Sequence, residues 1–121
     1  MKAALKSIQL NNGEDFRSFR PADGSCFSEW LTATIGPSDE EGGERFQLEI
    51  TTPDHLAGRL EVDGYVWGLH MIITDRYDPD LIVKVIKKRL DHCTGSGWEE
   101  VAAKVAQIGA WEFDNYRPSE E

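Results

Sequence analysis

This 121-residue sequence has few of the features that are typical of metal-binding, redox or membrane-spanning proteins. It has two cysteines, Cys26 and Cys93, and no C-x-x-C pair, which argues against a zinc or redox motif and predicts that both pack as small hydrophobic side chains. The three histidines, His55, His70 and His92, lack the spacing of metal ligands. No apolar run approaches the ~20 residues of a membrane span, and no secretion signal begins the chain. We expect a soluble cytoplasmic protein with no metal and no cofactor.

Basic residues are also scarce. The chain has 13 Lys and Arg against 22 Asp and Glu, a formal net charge of −9. Such a surface repels phosphate backbones, which argues against direct binding to nucleic acid. It favours fast, salt-sensitive encounter with a basic partner, usually a protein.

Catalytic motifs are absent as well. The sequence has no G-x-S-x-G elbow, no H-E-x-x-H pair, no G-x-x-x-x-G-K-[ST] phosphate loop and no G-x-G-x-x-G. We therefore expect a protein that is not an enzyme. One alternative stays open, a small enzyme with His70 or His55 as its general base, which would need a pocket that joins the histidine to a carboxylate.

The densest charge in the chain is the stretch SDEEGGE, residues 38–44, with four carboxylates in seven residues. Segments of alternating apolar residues flank it, and they predict two antiparallel strands joined by a hairpin. The spacing does not follow the ligand order of an EF-hand loop, so calcium is not predicted. The four carboxylates should be hydrated and alike, which disfavours acid–base catalysis. The stretch is predicted to be an exposed hairpin tip.

Hydrophobic periodicity elsewhere predicts an α+β fold, a mainly antiparallel sheet with two C-terminal helices and one short helix packed against it. A single domain over residues 1–121 is expected. Within it, residues 11–25 are predicted to be a loop held by its aromatic side chains, and residues 117–121 a disordered tail. Helix starts are predicted at Thr52 and Asp78, because each can cap a helix and is followed by Pro-Asp.

Further elements are predicted in the second half of the chain. Residues 65–74, YVWGLHMIIT, are apolar at nearly all positions and predict a central strand with both faces at least partly covered and Trp67 in the core. Ser96 and Glu99 fit an S-x-x-E capping box, which begins a helix that Gly109 would end. The aromatic stretch WEFDNY that follows predicts a last short strand.

Trp30 differs from the other three tryptophans. It shares its predicted strand face with Ser28, Thr32 and Thr34, whereas the others fall in apolar patterns. A tryptophan on a polar face is either covered by another element, such as the early loop, or exposed as an anchor for a partner. The sequence leaves both interpretations open.

Several motifs, taken in order along nearly the whole chain, resemble the immunity protein 8 family. They are F-x-x-x-L-x-A-x-I-G-P at 27–37, F-x-L-x-I-T-T-P at 46–53, I-I-T-D-R-Y-D at 72–78, G-x-G-W-E-E-V-A at 95–102 and I-G-A-W-E-F-D-N-Y at 108–116. The W-E-E and W-E-F-x-x-Y pieces are the most distinctive.

This resemblance implies an α+β immunity protein of a bacterial polymorphic or contact-dependent toxin system. Such a protein binds the C-terminal domain of its cognate toxin and blocks the active site or the access of substrate. The toxin domains are often nucleases, whose basic surfaces suit a net charge of −9. The residues predicted to bind the toxin are Asp39, Glu40, Glu41, Glu44, Trp30 and Asp75. The free protein is expected to be a monomer or a dimer, and an adaptor domain that self-associates through Trp30 and the sheet edge is a further alternative.

Overall fold

The computed structural model describes residues 1–112, which form one mixed sheet and three helices. In chain order the elements are β1 (Ala3–Leu10), β2 (Ser28–Pro37), β3 (Glu44–Thr51), α1 (Pro53–Asp63), β4 (Met71–Ile73), α2 (Pro79–Leu90), α3 (Trp98–Val105) and β5 (Ala110–Trp111). Strands β1, β2 and β3 are antiparallel neighbours, β4 runs parallel to the second half of β3, and β5 pairs antiparallel with its first half. The predicted α+β class with a mainly antiparallel sheet is confirmed.

One face of the sheet carries the core, because the apolar residues of β2 and β3 alternate with polar ones. The buried side chains on this face include Leu31, Ala33, Ile35, Phe46, Leu48 and Ile50. Helices α2 and α3 cover them with the buried side chains of Ile82, Ile86, Leu90, Val101, Ala102 and Val105. None of the helices within residues 1–112 is long and apolar enough to cross a membrane.

The opposite face, called here the outer face, is largely open. Thr32 and Thr34 are half-buried and Gln47 is exposed. Helix α1 lies over one end of this face, where its Arg59 binds Glu49 of β3 at 2.7 Å. None of the residues of α1 is fully buried, and its polar contacts with β3 are the Arg59–Glu49 pair and the approach of His55 Nδ1 to the Thr51 hydroxyl at 3.5 Å.

The early loop, predicted over residues 11–25, spans residues 11–27 between β1 and β2 and packs around Tyr77, just ahead of α2. Phe16, Phe19 and Phe27 each meet the Tyr77 ring edge-to-face, with ring centroids 5.3 to 6.1 Å away. The Tyr77 hydroxyl donates to the carbonyl oxygen of Phe16 at 2.7 Å. Burial, with the nearby carboxylate of Glu29, raises the pKa of Tyr77 to about 12.

The predicted helix starts at Thr52 and Asp78 are confirmed. The Thr52 hydroxyl accepts from the backbone N–H of His55, and the Asp78 carboxylate accepts from that of Leu81. The predicted capping box of Ser96 and Glu99 at the start of α3 was wrong. The N-cap is Gly97, which makes no side-chain cap bond.

Instead of Glu99, Glu100 completes the turn before α3. Its carboxylate accepts from both the backbone N–H and the hydroxyl of Ser96 at 3.1 Å, and these bonds lower the pKa of Glu100. Gly109 does not end α3, since the helix finishes at Val105. It lies against β3 instead, where an added Cβ would come 3.1 Å from the Cβ of Phe46.

Residues 65–74 do not form a central strand, and this prediction was wrong. Only Met71–Ile73 pairs with β3, in parallel, at the edge of the sheet. Gly64, with φ of 80°, ends α1 in the left-handed region, and His70, with φ of 55°, also has a left-handed backbone directly before β4. Trp67, which was predicted in the core, is 76% exposed.

The last predicted strand is partly confirmed as β5. Trp111 is half-buried and stacks on Phe46 with ring centroids 6.1 Å apart. Trp98 also packs against the core. Residues 113–121, which include the remainder of that strand and the predicted tail, lie outside the described residues.

Candidate functional site

The tip of the hairpin between β2 and β3 carries Asp39, Glu40 and Glu41, all exposed. Two hydrogen bonds, to Lys2 and from Lys6, hold the backbone of this tip in place. The Ser38 N–H donates to the carbonyl oxygen of Lys2 at 2.9 Å, and Lys6 Nζ donates to that of Glu40 at 2.7 Å. The backbone is therefore held while the three carboxylates face solvent.

The strands also approach each other closely below this tip. A Cβ on Gly36 would lie 2.1 Å from the carbonyl oxygen of Gly42, so this position admits only glycine without a backbone shift. The loop thus has a defined position relative to the sheet.

Glu44 differs from the other three acids of the stretch. It is the first residue of β3 and is half-buried, and its Oε1 accepts from Trp98 Nε1 at 3.0 Å and from Trp111 Nε1 at 2.8 Å. One carboxylate oxygen thus joins the start of α3 and strand β5 to the base of the hairpin. The density of charge in the sequence identified Glu44, but no pattern in the sequence predicts its contacts with Trp98 and Trp111.

Trp30 and Asp75 lie far from the hairpin tip. Trp30 pairs with Glu49, the sixth of the eight residues of β3, and is 43% exposed on the outer face. Asp75 is exposed and follows β4, whose end pairs with Thr51. Since β3 is eight residues long, the two ends of this strand are separated by roughly 23 Å. The structure therefore divides the predicted residues into a group at the hairpin and a group at the other end.

A buried charged pair that the sequence did not predict lies beside Trp30. Glu49 is 3% exposed, although alternation places it on the polar face of β3. Its carboxylate accepts from Arg59 of α1 at 2.7 Å and from the Ser28 hydroxyl. In the same row across the sheet, Trp30 flanks Glu49 on one side and Met71 on the other. The Arg59–Glu49 pair thereby links α1 to the row of the sheet that contains Trp30 and Met71.

The connection from α1 to β4 exposes apolar side chains. We call this stretch, residues 60–73, the α1–β4 segment. Within residues 1–112 there are nine large hydrophobic residues with exposed side chains, and six of them belong to this segment. They are Leu60, Val62, Tyr65, Trp67, Leu69 and Ile73. The signals in the sequence that could have found this surface are Gly64, which directly precedes the run that was interpreted as a core strand, and Gly68, which interrupts it.

The two histidines considered as general bases take part in local structure. His70 Nε2 donates to the carbonyl oxygen of Ala106 at 2.8 Å, which joins β4 to the end of α3. His55 Nδ1 lies 3.5 Å from the Thr51 hydroxyl at the start of α1. A cleft of about 450 Å³ adjoins His70, and among its described lining residues there is no carboxylate. A smaller cleft, of about 320 Å³, is lined by His55 together with Asp54 and Asp63, so the pocket that the enzymatic alternative requires is present at His55 and not at His70. Within residues 1–112 no group of side chains is arranged to hold a metal ion.

Comparison with known proteins gives one match. The family model described as Immunity protein 8 matches residues 3–116, nearly the whole chain. No curated protein and no solved structure matches significantly. The resemblance inferred from the motifs is confirmed, and the chain belongs to the Immunity protein 8 family.

Proposed function

We propose that this protein neutralises a basic toxin domain, of the nuclease class, by binding it and covering its active site or its substrate-binding surface. As a member of an immunity protein family, the chain has a cognate toxin as its expected partner. A non-enzymatic role in the cytoplasm is part of the proposal. The observation that carries it is the exposed acidic tip, Asp39, Glu40 and Glu41, on a chain of net charge −9.

Charge gives the physical reason for a nuclease-type partner. A domain that binds a phosphate backbone needs a positive surface, and an acidic inhibitor is attracted to that same surface. The exposed tip places three carboxylates where an approaching domain meets them first. Long-range attraction of this kind raises the association rate more than it raises the lifetime of the complex.

Size indicates that the tip does not act alone. A stable complex buries about 800 Å² on each partner, which corresponds to a patch roughly 30 Å across. The outer face from the tip to Asp75 has about this length, given the roughly 23 Å along β3. Trp30 lies on this face toward the end that carries Asp75. We propose that Asp39, Glu40 and Glu41 belong to the toxin interface together with Trp30 and Asp75, while Glu44 holds the base of the hairpin.

The test uses the C-terminal domain encoded by the gene immediately upstream of this one. The wild-type protein should bind that domain and abolish its toxicity. Glu41→Lys should lower the association rate constant by roughly three- to tenfold at low salt and reduce its salt dependence, with little change in the dissociation rate constant. Stopped-flow or surface plasmon resonance measurements over a series of salt concentrations would report both constants.

Glu14→Lys provides the matched control. It changes the net charge by the same amount, but Glu14 follows the end of β1 that lies away from the hairpin. An equal reduction by both variants would show that overall charge, and not the tip, governs association. Absence of binding by the wild-type protein would refute the proposed function itself.

A further inference from the structure

The α1–β4 segment is an unusual surface for a small protein. Trp67 and Tyr65 are 76% and 66% exposed, so these two side chains alone present roughly 300 Å² of aromatic surface. The largest apolar patch of a typical monomer is about 300–600 Å², and the four exposed aliphatic residues of the segment add to the aromatic pair. Exposure on this scale marks a site that another molecule covers.

The charged residues inside the α1–β4 segment are acidic. Glu61 and Asp63 alternate with the apolar residues at the end of α1, and Asp75 follows β4. Between Arg59 and Arg76 the sequence contains no Lys and no Arg. The guanidinium of Arg59 is itself occupied by Glu49. At the margin of the segment, Arg76 pairs with Asp75 at 3.4 Å, and Arg89 lines the cleft that also contains Leu69 and Ile73. The part of the segment around Tyr65 and Trp67 is therefore an apolar surface whose nearest charges in the sequence are Glu61 and Asp63, and it is complementary to an apolar patch bordered by lysine and arginine.

The edge of the sheet adds backbone groups to this surface. The His70 carbonyl accepts from the N–H of Glu49, and the Thr74 N–H donates to the carbonyl of Thr51, each at 2.9 Å. Because successive residues of a strand point their backbone groups in opposite directions, those of Met71 and Ile73 face away from β3. A protein partner can pair with such groups as well as cover the neighbouring side chains.

Continuity with the sites already described favours the same partner. Trp30 lies in the row of Met71, two strands away or roughly 10 Å, and Asp75 lies two residues beyond β4. The α1–β4 segment thus lies close to both Trp30 and Asp75, the two predicted contact residues that are far from the hairpin tip.

We infer that the α1–β4 segment is the apolar centre of the interface with the toxin, with Trp67 and Tyr65 as its principal contacts. This inference rests on the proposed function. The partner surface it requires is an apolar patch surrounded by basic residues on the toxin domain. In this arrangement the hairpin tip accelerates encounter, and the α1–β4 segment determines how long the complex lasts.

Substitution of the two aromatic residues tests this division of roles. Trp67→Ala and Tyr65→Ala should each weaken binding to the upstream-encoded toxin domain by at least about 30-fold, because exposed aromatic anchors dominate such interfaces. The loss should appear in the dissociation rate constant, with the association rate constant within about threefold of wild type. Trp67→Phe should recover most of the affinity.

Leu81→Ala is the matched control, because Leu81 is an exposed apolar residue of α2 outside the segment. It should bind as the wild type does. Thermal unfolding of all variants verifies folding, and exposed positions should leave the midpoint almost unchanged. If Glu41→Lys slows association while Trp67→Ala and Tyr65→Ala bind like wild type, the inference is wrong and the proposed function stands.

Mass measurement in solution separates the toxin from a second copy of this chain as the occupant. The inference predicts that the α1–β4 segment mediates no self-association. A wild-type dimer that Trp67→Ala dissociates, with toxin binding unaffected, would overturn it in favour of a self-association surface.

Discussion

The Arg59–Glu49 pair controls the attachment of α1 to the sheet. In the Arg59→Ala variant, the Glu49 carboxylate would keep the Ser28 hydroxyl as a donor but lose its charged partner. Removal of one member of a fully buried pair costs about 3–5 kcal/mol. The Arg59 side chain is 35% exposed, so water can partly replace it, and we expect a loss of about 2–3 kcal/mol in the free energy of unfolding.

Urea denaturation would measure this loss. Glu49→Gln in the Arg59→Ala background removes the uncompensated charge and should restore roughly half of the lost stability. Arg76→Ala is the control, since Arg76 pairs with the exposed Asp75 at 3.4 Å and its removal should change stability by less than about 0.5 kcal/mol. An Arg59→Ala variant as stable as Arg76→Ala would refute the reasoning. Because α1 carries Leu60 and Val62, displacement of this helix should also weaken toxin binding.

Two further changes probe other parts of the fold. Glu44→Ala removes the shared acceptor of the Trp98 and Trp111 indoles, so the free energy of unfolding should fall by about 2–3 kcal/mol, and Glu44→Gln, which keeps an acceptor oxygen, should lose about half as much. Urea denaturation would measure both variants, and equal losses would contradict a hydrogen-bonding role. For Tyr77 the folded pKa of about 12 lies above the ordinary value of 10.0, so this residue contributes stability that is complete below pH 10 and is lost as the pH rises toward 12. Tyr77→Phe should remove that part of the alkaline decrease, and an unchanged pH profile of stability would contradict the assignment.

The fold was predictable where local chemistry and tertiary packing agree. Period-two alternation in β2 and β3 predicted the hairpin and its buried face, because only one face of these strands meets α2 and α3. The caps at Thr52 and Asp78 were predictable because the Pro-Asp sequence after each favours a helix start in any context.

The errors occurred where the pattern depends on pairing that the sequence does not encode locally. Residues 65–74 are apolar, and hydrophobicity alone cannot distinguish a buried strand from an exposed binding surface. The deciding features are the left-handed backbones of Gly64 and His70 and the short parallel pairing of β4. The burial of Glu49 could not be predicted either, because it depends on Arg59 ten residues later and on the orientation of α1.

The candidate site was predictable only as a set of residue types. Charge density identified Asp39, Glu40 and Glu41, and the tip is exposed, but the sequence did not reveal that Trp30 and Asp75 lie at the other end of the sheet. The apolar part of the proposed interface was missed because its residues were assigned to the core.

Hydrogen–deuterium exchange on the complex with the upstream-encoded toxin domain tests the central claim most directly. The account predicts that binding slows exchange at residues 38–43 and, more strongly, at residues 60–75. Exchange at residues 18–25, which are part of the early loop, should be unchanged. Slowed exchange confined to the early loop, with residues 60–75 as accessible as in the free protein, would contradict it.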